Sequence, residues 1–136
     1  METEIVRTGG CLCGAVRYEV RGEPYVSGLC HCTICRKLTG SSFSATANWI
    51  GDKFTMSGQI QTYERRSFCP KCGSRLFFML KDGGAEIFLG TLDEAPYDIK
   101  PMLEVWAVRR EHWLPDMPGS SVFSENPPQD AVPKPA

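Results

Sequence analysis

Residues 28–40 read GLCHCTICRKLTG, and their three cysteines, Cys30, Cys32 and Cys35, decide how the rest of the chain is read. Thiols this close along the chain can reach one ion together, yet zinc takes four ligands, so the spacing leaves one position to fill. Two cysteine pairs lie on either side: Cys11 and Cys13 in CLCG, and Cys69 and Cys72 in CPKCG. Each pair ends in Cys-Gly, where glycine permits the positive φ of a tight turn that aims backbone N–H groups at the thiolates. Two such knuckles supply four ligands and close a structural zinc site. The 7 cysteines then partition as four plus three, with none left over.

A disulfide framework favours an even count and an exported chain. The opening METEIVRTGG has two acids and no apolar run, so it does not read as a signal peptide. Metal ligation is therefore the better reading of the cysteines. In the middle cluster, three protein ligands and an open position form the pattern of catalytic zinc, with water or substrate completing the shell. Two other candidates for the fourth ligand are His31, which sits between two ligating neighbours and would strain the loop, and His112, which would have to reach across the fold.

The 136 residues suit one domain with a real core. A net charge of -1 and a pI near 6.1 argue against a nucleic-acid or membrane-surface partner, since both favour a basic patch. No stretch approaches the roughly 20 apolar residues of a membrane span. The expected location is the cytosol.

Outside the clusters the chain reads as short strands and turns. VRYEV (16–20), SFSATANWI (42–50), KFTMSG (53–58), QIQTYER (59–65), RLFFML (75–80), AEIFLGTL (85–92) and EVWAVRR (104–110) are the candidate strands. Lys81-Asp82-Gly83-Gly84 marks a hairpin between two of them. Single helical turns are expected at Thr33–Leu38 and Leu92–Ala95, and Trp49, Trp106 and Trp113 are expected in the core. This pattern predicts an all-β domain over 1–125. NPPQDAVPKPA, 126–136, is predicted to be a Pro-rich extended or disordered tail.

The order of GGCLCGAVRYEV, CHCTICRKLTGSSF, FCPKCGSRLF, GTLDEAP and a terminal NPP resembles the glutathione-dependent formaldehyde-activating enzyme family, which includes centromere protein V-like domains. The resemblance implies a β-tent of small antiparallel sheets and two zinc ions per chain. It implies that Cys11, Cys13, Cys69 and Cys72 hold the structural ion, and Cys30, Cys32 and Cys35 the catalytic one. It also implies a carbon–sulfur lyase that joins glutathione to formaldehyde, giving S-hydroxymethylglutathione. This chain departs from the family pattern in carrying Glu104 where members often have His, and in the short TYERRSFC segment.

The donor set suits thiol chemistry. A coordinating thiol is deprotonated by zinc, while three thiolates leave the ion a weak Lewis acid that favours sulfur attack over hydrolysis. Glutathione's two carboxylates need cations, and Arg36 and Lys37, beside the last ligand, are the first candidates, followed by Arg65 and Arg66. A zinc-stabilised binding module, its middle site closed by a fourth side chain, is the alternative to an enzyme.

Overall fold

Alternation along RYEVR builds the first hairpin: Tyr18 and Val20 face inward while Arg17 and Glu19 face out. The structure is a computed structural model that describes residues 4–135. In chain order its elements are β1 (Val6–Gly10), β2 (Arg17–Arg21), β3 (Val26–Cys30), helix α1 (Thr33–Thr39), β4 (Ser44–Trp49), β5 (Phe54–Ser57) and β6 (Gln61–Tyr63). There follow β7 (Arg66–Phe68), β8 (Arg75–Met79), β9 (Ala85–Phe88), β10 (Leu103–Val105) and β11 (Ser121–Val122). The fold is mainly β, as expected, with one short helix.

Two sheets make up the tent. The smaller has the order β1-β2-β5, and the larger runs β11-β10-β3-β4-β9-β8-β7-β6. All pairings are antiparallel except those of β10, which lies parallel to both β3 and β11. The Asp82-Gly83 turn joins β8 to β9 as the sequence predicts, with Met79 opposite Ala85. The sheets meet over an aromatic cluster. Phe54 packs edge-on against Phe77 at 5.0 Å between ring centroids, and Tyr18 meets Phe77 at 6.4 Å. Trp49 is buried beside them, and its indole Nε1 donates to the Gly22 carbonyl at 2.9 Å.

Several elements differ from expectation. EVWAVRR stops being a strand at Val105, because Trp106 turns into the left-handed region at φ 57° and Ala107–Arg109 coils into a 3-10 turn. AEIFLGTL ends as a strand at Phe88 and continues as a 3-10 turn over Leu89–Thr91, whereas Leu92–Ala95 forms no helical turn. Trp113 is 70% exposed, not core, and Trp106 is half-buried, its Nε1 donating to Asn126 Oδ1. Among the described residues beyond Asn126 the one regular element is a 3-10 turn at Gln129–Ala131.

Candidate metal centres and the cavity beside them

The knuckles lie in two connections that belong to different sheets. Cys11 and Cys13 follow β1 in the small sheet, and Cys69 and Cys72 follow β7 in the large one. Gly14 and Gly73 take φ of 82° and 79°, the positive values that the Cys-Gly pattern predicts. The four sulfurs lie within 4.8 Å of one another. Cys11 and Cys13 Sγ are 3.6 Å apart, and Cys13 and Cys69 Sγ 3.8 Å. A disulfide needs about 2.05 Å, whereas a tetrahedral ion with Zn–S arms of about 2.3 Å sets sulfurs about 3.8 Å apart. The cluster therefore fits a closed tetrahedral site. Val16 N–H donates to Cys11 Sγ and Lys71 N–H to Cys69 Sγ. Ser74 Oγ, 3.2 Å from Cys72 Sγ, also accepts the Leu12 N–H, linking the two knuckles. An ion here would staple one sheet to the other.

The second cluster is built by one strand end and one helix start. Cys30 closes β3, and Cys32 is the N-cap of α1, its sulfur accepting the Cys35 N–H at 3.3 Å. That bond satisfies one of the donors a helix start leaves open. The sulfurs of Cys30, Cys32 and Cys35 lie within 4.8 Å of one another. The Cys30 thiol donates to Cys35, which, against the opposing effect of burial, pulls the Cys35 pKa down to about 5 with help from Ser44 and Cys32; Cys30 is pushed up. The pair thus holds one proton on Cys30 and leaves the charge on Cys35.

His31 and His112 stand apart from this cluster. His31 is 1% exposed, and its Nε2 lies 2.8 Å from Glu104 Oε1, itself 1% exposed. Arg110 donates to the same oxygen at 3.1 Å and Met117 N–H to Oε2 at 3.2 Å. Burial disfavours the Glu104 charge, yet the bonds from Met117, Arg110 and His31 outweigh it and lower its pKa. A carboxylate held ionised makes Nε2–H of His31 the donor. His112 is exposed, and its ring nitrogens are not gathered with the three sulfurs.

A cavity of about 370 Å³ opens on Cys30 and Cys35. Ile34 and Leu38 of α1, with Phe78, Phe88 and Val105, form its apolar side. Pro127 and Val132, from the Pro-rich tail, complete that side. Thr46, Asn48, Arg66 and Glu86 are polar groups on its wall. Glu104 is not among the lining residues: Leu103 and Val105 face the cavity, and strand alternation turns Glu104 to the opposite side. The departure from the family pattern therefore supports the loop from behind.

The cation facing the cavity is Arg66, whose guanidinium lies 5.6 Å from the centre of the Phe78 ring. Arg36 is turned elsewhere, donating to the Arg109 carbonyl at 3.0 Å and pairing with Glu111 at 2.5 Å. Lys37 is exposed on α1 outside the cavity lining, and Arg65 donates to the Met79 carbonyl. Glu86 was missed in the sequence. Its polar place in the half-apolar AEIFLG run was the signal, hidden because one glutamate on a strand normally marks a solvated face.

The family model described as glutathione-dependent formaldehyde-activating enzyme matches residues 6–109. A Halomonas elongata protein provisionally named glutathione-dependent formaldehyde-activating enzyme is 32% identical over 83 residues, covering 51% of this chain and 53% of that protein. A Schizosaccharomyces pombe protein named an uncharacterized lyase is 29% identical over 86 residues, covering 60% of this chain and 63% of that protein. The chain thus spans between half and two thirds of the length of these relatives. No helix among the described residues is long and apolar enough to cross a membrane.

Proposed function

This chain belongs to the glutathione-dependent formaldehyde-activating enzyme family, and from that premise we propose that it is a zinc-dependent carbon–sulfur lyase-type enzyme that joins a small thiol to an aldehyde and splits the adduct. Glutathione and formaldehyde are the first pair to test. The observation that carries this reading is the three-sulfur cluster at the wall of a cavity, with neither histidine gathered into it.

Cys30, Cys32 and Cys35 would hold the catalytic ion and the other four cysteines the structural one. Zinc bound by three thiolates supplies an open position at which a thiol is deprotonated yet stays nucleophilic. The chain's own residues supply the rest. The His31–Glu104 pair fixes the loop between Cys30 and Cys32 from the side away from the cavity. Arg66 offers a carboxylate of the thiol a two-pronged partner. The apolar wall keeps water from the reacting carbon, and holding thiol and aldehyde side by side lowers the barrier through proximity.

Exchange NMR tests this, because thiol and aldehyde also condense without a catalyst and an endpoint assay misleads. Zinc-loaded protein should speed exchange between the free pair and the thiohemiacetal, and Cys32→Ser should not. Equal rates with wild type, variant and buffer across a panel of thiols and aldehydes would overturn the assignment.

A further inference from the structure

The cavity wall carries one carboxylate, Glu86, among its lining residues. On β9 Glu86 lies opposite Asn48 of β4 and Phe78 of β8, and all three line the cavity that Cys30 and Cys35 also line. Its Oε2 accepts the Thr46 hydroxyl at 3.2 Å. It makes no salt bridge among the described residues, and the carboxylate beside Arg66 is the exposed Glu64 at 3.3 Å. A carboxylate half-buried on the cavity wall with one hydroxyl donor carries a desolvation cost. A β-branched residue would fill this strand position without that cost. The chain keeps the acid where thiol and aldehyde would meet.

Resting on the function proposed above, we propose that Glu86 carries the proton of the reaction, taking it from the thiol and giving it to the aldehyde oxygen. The sulfur loses its proton to the Glu86 carboxylate and bonds to the aldehyde carbon. The C=O π pair moves to oxygen, and that oxygen takes the proton back from Glu86. Thiol plus aldehyde become thiohemiacetal with no net proton change and no redox partner. The reverse sequence splits the adduct.

The surroundings suit a group that must both accept and donate. Burial raises the Glu86 pKa above the ordinary carboxylate value; the Thr46 hydroxyl and Arg66 pull it down, and the Cys35 thiolate pushes it up. Three bound thiolates against one Zn²⁺ leave the cluster negative, so that last effect keeps its sign with metal present. The groups around Glu86 are Arg66 from β7, Cys30 at the end of β3, Cys35 from α1, Thr46 and Asn48 from β4, and the Tyr25 phenol behind Asn48. A pKa moved toward the working pH is what a proton carrier needs.

The test uses zinc-loaded full chain and exchange NMR with glutathione and formaldehyde at saturation. Glu86→Gln should exchange about 10²-fold more slowly or worse. Zinc content should hold, and so should the thiolate-to-metal absorption of the cobalt-substituted form with glutathione. Wild-type exchange should fall as pH drops through the Glu86 pKa, and the variant should lack that limb. Thr46→Val, which leaves Glu86 in place, should move the limb to higher pH, because a hydrogen bond to the charged form is gone. A Gln variant at wild-type rate, one with only a raised KM, or a Thr46→Val limb that does not move would overturn the role of Glu86 while leaving the enzyme reading intact. A wild type with no acceleration would overturn both.

Discussion

His31 Nε2 donates to Glu104 Oε1 across 2.8 Å, inside the protein and behind the loop that carries Cys30 and Cys32. The bond joins the end of β3 to β10, a pairing separated by 73 positions along the chain. It engages Nε2 of the histidine nearest the three-cysteine cluster, and among the described residues the ligand atoms gathered at that cluster are three sulfurs.

Glu104→Gln should destabilise the protein by about 3 kcal/mol, the cost of leaving buried partners of a removed charge unmatched. The sign with pH follows from a folded pKa lowered below the unfolded value. Stability from Glu104 is present above the ordinary carboxylate range and is lost as pH falls through the lowered folded value. Denaturant titrations of wild type and variant from neutral pH downward, over the range in which zinc content stays constant, check this: the gap between them should shrink toward acid. A constant gap would contradict it.

Metal analysis should find two zinc ions per chain in wild type and one in Cys32→Ser. A chelator should strip the three-cysteine site first, since it has fewer protein ligands. One ion in both proteins would remove the second centre.

The two centres should differ in what they hold together. Cys72→Ser breaks the staple between the sheets and should lose most of the cooperative thermal transition, because structural zinc contributes folding energy directly. Cys32→Ser should keep the transition within a few degrees. The reverse order in calorimetry would interchange the two roles.

The seven cysteines and their division were legible in the sequence because ligand spacing is local and Cys-Gly turns repeat. Most strands were legible for the same reason: alternation and the Asp82-Gly83 turn act over a few residues. β1, β3, β7 and β11 were not; in β3, VSGLC is flanked by β10 and β4 and shows no polar face to alternate with. The Glu104 contact, the turning away of Arg36 and the approach of Pro127 and Val132 to the cavity depend on pairings far apart in the chain, which no local pattern encodes.

Arg66→Ala should raise KM for a carboxylate-bearing thiol by roughly tenfold or more, the scale of one lost charged hydrogen bond, with turnover little changed. Arg36→Ala should leave KM within a factor of about two, as its guanidinium serves Glu111 and the Arg109 carbonyl. Steady-state exchange kinetics on both variants give the comparison, and an effect confined to Arg36→Ala would move the carboxylate site to α1.

The most direct measurement is thiol binding at the three-cysteine centre. Protein carrying cobalt in that centre is titrated with glutathione and, separately, with S-methylglutathione, and the thiolate-to-metal absorption is followed. The account predicts that glutathione adds intensity to saturation, that the methylated form adds none, and that Cys32→Ser responds to neither. No response to glutathione in the loaded wild type, or an equal response to both compounds, would contradict it.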